Sequence, residues 1–436
     1  MKKTLLILLG LLIALPSFSR DFEYTYEGQT LTYTVLDESA KTCQTKVGSY
    51  NSSGNSASGV LTIPESASDG SNEYSVTSIG ERAFMDCEGL TSVVIPNSVT
   101  SIGGSAFSSC SGLTSVTIPR SVTTIGPSAF SGCSSLTSVT LPNSVTAIGE
   151  RAFCDCSGLT SLAIGNSVTT IGQYAFYDCS GLTSVTIPNS VTTIGFDAFY
   201  GCSGLTSVTI PESVTTIGNS PFANCSCLET IDVAIGNTLF SSSNGVLFSK
   251  DQTELIHFPG GKGGAYQIPE SVTTIRGDAF AFCRGLTSVT IPNSVTSISY
   301  WTFGECSGLT SVTIPNSVTF IGDCAFYGCS SLTSVTIPNS VTTIDDMAFT
   351  NCSSLTSIDV ESGNRWYSSV SGVLFNKNQT KLVQFPGGKG GAYEIPSSVT
   401  TIINRAFSGC SGLTSVTIPN SLTTIALEDY TVSSGR

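Results

Sequence analysis

Charge is scarce in this chain. Only 11% of its 436 residues are charged, against about 25% in an ordinary soluble domain. Histidine is scarcer still, because His257 stands alone. One imidazole excludes a histidine-rich metal site and leaves a single candidate for imidazole acid–base work. Basic residues number 18 against 31 Asp and Glu, for a formal net charge of −13. That balance argues against nucleic acid, where clustered Lys and Arg must neutralise phosphates, and against an anionic membrane surface. After the first nineteen residues no apolar run is long enough to span a bilayer. What the chain does hold is 40% hydrophobic residues, enough to bury a core. It also holds 43 glycines, 17 prolines and 16 cysteines, with serine and threonine throughout.

The N-terminus reads as an address. Lys2 and Lys3 precede an apolar run from Leu5 to Leu15, and Pro16 and Ser17-Phe18-Ser19 follow. This is the charged start, apolar centre and small-x-small exit of a secretory signal, with cleavage expected after Ser19. As a helix the run reaches only about 16 Å, short of a hydrocarbon core of about 30 Å. No cysteine sits at the exit for lipid attachment. The expected mature protein is exported and acidic, with no membrane span.

A period dominates the rest. Cys87, Cys110, Cys133, Cys156, Cys179, Cys202 and Cys225 lie 23 residues apart; Cys283, Cys306, Cys329 and Cys352 resume the spacing, and Cys410 closes it. A phenylalanine precedes each by three residues, from Phe84 to Phe407. Fixed periods of this size mean a solenoid, propeller or array. In one unit, Leu113-Thr114-Ser115-Val116-Thr117-Ile118 places apolar residues as L-x-x-V-x-I, the strand core of a leucine-rich repeat. Pro119 ends that strand. Ser121 to Ile125 forms a second extended stretch, Gly126 turns the chain, and Ala129-Phe130 opens a short tight or helical turn leading to Cys133. A single coil cannot close a core, whereas stacked coils superpose Phe on Phe, Cys on Cys and Leu on Leu.

This unit resembles the BspA-like leucine-rich repeats of bacterial surface proteins and of some parasitic protozoa. The resemblance covers about residues 60–425. It implies a right-handed, mainly-β solenoid with a parallel sheet on one face and short extended or helical turns on the other. It also implies attachment at a cell surface to host proteins or to other microbes.

Two gaps of 58 residues, Cys225 to Cys283 and Cys352 to Cys410, interrupt the ladder. They are copies: Gly245-Val246-Leu247-Phe248 matches Gly372-Val373-Leu374-Phe375, 127 residues on, and FPGGKGGAY recurs at 258–266 and 385–393. Each reads as a β-hairpin island. The expected organisation is a signal at 1–19, an N-terminal cap at 20–78, coils at 79–229, an island at 230–275, coils at 276–358, an island at 359–402, and a last coil with tail at 403–436. Beyond Ile425 no cap, wall anchor or sorting domain is evident. The last coil is either its own short cap or an edge for a partner.

Catalytic signatures fail one by one. The glycine-rich segments lack the Lys-Ser/Thr and following helix of a phosphate-binding loop. His257 is answered by Gln384 in the copied island, so a polar strand position is expected rather than a base. No serine sits in a G-x-S-x-G elbow. The twelve ladder cysteines recur at one inward site, where parallel Cβ vectors disfavour disulfides, and they read as small buried hydrophobes. Two C-x-C pairs, Cys154 with Cys156 and Cys225 with Cys227, lie three coils or about 15 Å apart, too far to share a zinc. No metal, cofactor or enzymatic activity is expected.

Variation among the copies points elsewhere. The strand hydroxyls, such as Ser115 with Thr117 and Ser311 with Thr313, are nearly uniform, whereas residues around the Ala-Phe turn differ. Aromatics gather there as Tyr174, Tyr177, Phe196 and Tyr200, and again as Tyr300, Trp301 and Tyr327, with Phe320 on the neighbouring strand. They are candidate binding residues of a recognition ridge; the alternative is that they only pack on adjacent turns. The leading expectation is a non-catalytic exported protein that binds an extracellular protein ligand. The alternatives are a carbohydrate-binding surface protein and a structural spacer.

Overall fold

The computed structural model describes residues 20–46 and 57–426. The proposed leader at 1–19 and the tail beyond Ala426 lie outside the described residues. The described residues wind into a mainly-β solenoid of about 15 turns, with no helix. Most repeats contribute two short strands. The first set stacks in parallel through Leu90–Val94, Ser115–Thr117, Ser138–Thr140 and Ser161–Ala163. The second runs from Ser101–Ile102 through Thr124–Ile125 to Thr216–Ile217. Partners sit one period apart, as in Val139 with Leu162 and Ile125 with Ile148. The alternating exposure of Ser115–Thr117 leaves its hydroxyls outside and Val116 inside.

The turns do not become helices because two residues in each hold left-handed backbone. Ser105 before Ala106-Phe107 has φ 53°, and Ser109 before Cys110 has φ 60°. A right-handed helix cannot propagate through such residues. Gly126 serves a purpose other than turning freedom. A Cβ there would lie 2.6 Å from the nitrogen of Gly104 and 2.8 Å from the carbonyl carbon of Gly103. The stacked coils approach too closely for any side chain.

Inside, the phenylalanines form a continuous stack with ring centroids 5.3 Å apart from Phe84 through Phe107 and Phe130 to Phe153. The ladder cysteines do more than fill space. The thiol of Cys133 donates to the carbonyl of Phe107 in the preceding coil at 3.2 Å, and Cys179, Cys225 and Cys352 each repeat the bond at 3.1 Å. The Phe107 carbonyl also accepts the Cys110 N–H of its own coil, so both lone pairs are used.

Each island interrupts the phenylalanine stack and starts it again beyond. Phe240–Ser243, Val246–Ser249 and Glu254–His257 form an antiparallel sheet, and the last strand rejoins the stack beside Thr274–Ile275. The expected hairpin is its second and third strands. The first strand is serine-rich and lacks apolar alternation, which hid it. Phe258 takes the ladder position, 4.9 Å from Phe280. Buried Asn237 anchors the island's start, donating to the carbonyls of Pro211 and Val214 and accepting from the N–H groups of Leu239 and Phe240. Asn364 repeats every contact. At the other end, Asp21–Tyr26 pairs with Gln29–Asp37, which leads through Thr42–Thr45 to Glu73–Ile79.

All sixteen cysteines are free thiols, and Cys227 alone is exposed. Burial pushes the thiols of Cys133 and Cys352 up to about 12. Titration of the native protein with a thiol-reactive disulfide reagent is therefore expected to show one fast-reacting group. Cys227→Ser should abolish that phase, and the remaining thiols should appear only on unfolding.

Candidate binding ridge and cleft

The aromatic residues picked out by copy variation meet edge to edge along the turn face. Phe196 packs on Tyr174 at 5.3 Å, Tyr174 on Tyr177 at 5.8 Å, and Tyr177 stacks on Tyr200 at 4.7 Å. Trp301 lies 5.1 Å from Tyr327 and 6.2 Å from Tyr300. The sequence separated these groups, but the structure joins them through Phe282, which was not anticipated. Its ring sits 5.6 Å from Tyr200 and 6.0 Å from Trp301. Phe320 stands apart on the strand Phe320–Ile321, paired with Ser297 and Thr343.

The backbone under this row is unusual for its side chains. Tyr174, Phe282 and Trp301 occupy left-handed positions, with φ of 54°, 62° and 50°. Other coils fill the same places with Ser105, Ser109, Ser128 or Gly132. Bulky residues are rare at positive φ, and such outliers gather at functional sites. Phe282 was therefore legible, because at the position before Cys it is the one ring among serine, glycine and polar residues. Two cations lie on the row: the Arg151 guanidinium sits 4.4 Å from the Tyr174 ring centre, and Arg284 sits 5.6 Å from that of Phe282. The Tyr327 hydroxyl accepts from Asn351 at 2.8 Å. These contacts show that the rings pack on neighbouring turns. Most stay half-buried, and Tyr300 is 54% exposed.

Where Phe282 crosses between the groups, the surface opens into a cleft of about 650 Å³. Its origin is the island. Phe258 fills the interior ladder and its N–H pairs with the Ala279 carbonyl, but the island brings no protruding Ala-Phe turn. The turn at 220–225 and the turn at 278–283 are thus left with one projection missing between them. Phe196, Asp197, Tyr200 and Ser220 line one wall, and Asp278, Phe282 and Tyr300 the other. Ala223 at the base is small enough to let Phe282 reach Tyr200.

The carboxyls in this cleft are held partly out of water. Burial, with Asp278 adding repulsion, raises Asp197 to about 7. One of its oxygens is buried and has no hydrogen-bond partner among the described residues. Burial also raises Asp278, partly offset by a hydrogen bond from Ser220. Two carboxylates are too few for a protein metal cage, and no group of three or more metal-ligating side chains occurs among the described residues.

His257 lies on a strand, at the end of Glu254–His257, where it is 1% exposed and edge-on to Phe222 at 6.2 Å. Its ring nitrogens are buried, and burial lowers its pKa to about 4, partly offset by a backbone contact with Phe222. Gln384 in the second island is buried as well, but its amide donates to the carbonyls of Phe385 and Ala406 at 3.0 and 3.1 Å.

Parallel strands one period apart over inward Leu, Phe and Cys ladders define a leucine-rich-repeat solenoid. The family described as BspA type leucine rich repeat region, in six copies, matches residues 68–183, 169–261, 264–381 and 390–431. The chain belongs to that family. Among solved structures it is similar to a leucine rich cell surface protein from Faecalibacterium prausnitzii, at 29% identity and TM-score 0.63, covering 91% of this chain and 94% of that one. It shares its fold with the pneumococcal vaccine antigen PcpA, at 22% identity and TM-score 0.62, covering 93% and 98%. A leucine-rich repeat protein from Bacteroides ovatus matches at 27% identity and TM-score 0.50, covering 88% and 98%. No curated protein sequence matches. No helix of the described residues is long and apolar enough to cross a membrane.

The two islands set up a test of burial. An unfolded histidine titrates near 6.5 and this one near 4. Falling pH thus protonates the unfolded chain first, and stability drops between those values. His257→Gln installs the sister island's residue. It is expected to raise stability by about 2 kcal/mol at pH 5 through this linkage, and by no more than about 1 kcal/mol at pH 7.5 from its hydrogen bonds. Urea unfolding at the two pH values reads the difference.

Proposed function

We propose that this protein is a non-catalytic, exported surface protein that binds an extracellular host or microbial protein, in the manner of an adhesin. The observation that carries this reading is the continuous aromatic row from Phe196 to Tyr327, three of whose rings, Tyr174, Phe282 and Trp301, stand on left-handed backbone that other coils fill mostly with small or polar residues. Strain spent on large rings at the surface has no purpose in a spacer. Aromatic side chains are the usual anchors of protein interfaces, and half-buried, mutually supported rings lose little freedom on binding. The Faecalibacterium relative is described as a cell surface protein, which supports a surface location here.

The rings stack largely on one another, as Tyr177 does on Tyr200, so few faces are left flat and open for a sugar ring. That favours a protein ligand over the carbohydrate alternative. An array of extracellular matrix proteins, microbial surface proteins and glycans provides the test. Replacing Tyr177, Tyr200, Phe282 and Trp301 together by serine is expected to weaken the best protein ligand by about tenfold or more while the circular dichroism spectrum is retained, since serine already occupies the equivalent turn sites. Undiminished binding by the folded variant would overturn the reading. Displacement by soluble sugar would transfer it to glycans, and no saturable ligand at all would leave a spacer.

A further inference from the structure

We infer that the cleft between the turns at 220–225 and 278–283 binds a protonated amine or guanidinium, the Lys or Arg side chain of the protein ligand. This rests on the reading of the chain as a protein-binding surface. The walls supply what such a group needs. Phe196, Tyr200, Phe282 and Tyr300 line the cleft, and aromatic walls attract a cation and cover its aliphatic stem. Asp197 and Asp278 face the same space. One Asp197 oxygen is buried with no partner among the described residues, and a buried, unpaired acceptor is costly unless something arrives to satisfy it. A neutral sugar would leave two neighbouring carboxyls uncompensated, whereas a single cation answers both. The chain's net charge of −13 draws ligands of the same sign as that cation.

The duplication supplies a control inside the chain. Moving 127 residues from Asp197 and Asp278 leads to Cys324 and Arg405 at the second island. All four residues hold left-handed backbone, with φ of 49°, 60°, 55° and 55°. Phe282 is likewise answered by Gly409. The same architecture is therefore built without either carboxylate and without the bridging ring. The solenoid does not require them where they stand, and the acidic aromatic cleft is a property of the first island alone. Asp278→Arg should fold, because this chain already places arginine in that turn.

The test uses the full-length chain carrying Trp366→Phe, which leaves Trp301 as the one indole, stacked on Phe282 at the cleft wall. Its emission is titrated with Nα-acetyl-lysine methylamide and Nα-acetyl-arginine methylamide, with cellobiose as the neutral probe. At least one cationic probe is expected to give a saturable change and cellobiose none. Asp278→Arg, and Asp197→Asn with Asp278→Asn, should weaken the probe by about tenfold or more. Asp197 is faced by Asp278 across the gap and by the phenols of Tyr174, Tyr177 and Tyr200 on its own wall. Tyr300, near Asp278, is pushed up to about 12. The phenols therefore stay neutral, and affinity should fall by about tenfold or more from about pH 8 to about pH 5.5 as Asp197 protonates. No saturable response to either cation, an equal response to cellobiose, or full affinity in folded Asp278→Arg overturns the inference. The array separates the two readings. Protein binding unchanged in Asp278→Arg refutes the cleft and leaves the adhesin reading standing; cation binding without any protein ligand on the array does the reverse.

Discussion

Within an unbroken run of coils, each ladder phenylalanine leaves one carbonyl lone pair inside the solenoid, out of reach of water and of the strand bonds. The thiol of the next coil's cysteine takes it, at 3.1 to 3.2 Å from Cys110 through Cys225. Much of the structure is arranged around that contact. It needs a side chain that is small, apolar in bulk and able to donate one weak hydrogen bond, and cysteine meets all three demands. It also needs coils in strict register, so Phe must follow Phe, and glycine stands where backbone passes closest, as at Gly103, Gly126 and Gly149. The chain can therefore hold many reduced thiols: in the run from Cys110 to Cys225 each ladder thiol is buried and its hydrogen is already in use.

The same constraint decides how the islands enter. Cys283 and Cys410 still find a carbonyl to face, that of Phe258 at 3.6 Å and of Phe385 at 3.7 Å. The inserted chain repairs the ladder from within by supplying a phenylalanine at the right level. It does not repair the outside, where the Ala-Phe turn is omitted. A gap at the surface is the direct consequence of that omission. Whether that gap becomes a site depends on the flanking turns, which are free to vary because their side chains project away from the stack.

Much of the fold was legible because a period states it over and over. Phe at minus three from Cys and L-x-x-V-x-I along the strand are one physical unit repeated, and the strands, ladders and islands follow. What was not legible has physical causes. Gly126 read as a turn residue, since a sequence does not reveal how near the preceding coil lies. His257 read as a polar strand position because Gln384 replaces it, and what the sequence did not reveal is that both are buried. The aromatic groups read as two because the island separates them by sequence distance. Phe282 closes that distance only once the omitted turn brings 278–283 against 220–225. Asp197 and Asp278 drew no notice among scattered acidic residues, because their isolation from water is a property of the cleft.

A repeat protein with a duplicated block carries its own comparison. Positions that stay the same between the islands, such as Asn237 with Asn364, make identical internal bonds and belong to the architecture. Positions that differ while the backbone stays the same are released from it. Asp197, Asp278 and Phe282 all fall in the second class, and so do the other rings of the row when set against the plain coils. Left-handed sites favour small or polar residues, and most coils comply. Where this chain places tyrosine, tryptophan and phenylalanine there instead, local preference is overridden at three turns in one contiguous strip, beside two poorly hydrated carboxyls. Stability gives no reason for that coincidence, whereas recognition of a ligand explains the rings, the charge and their position together.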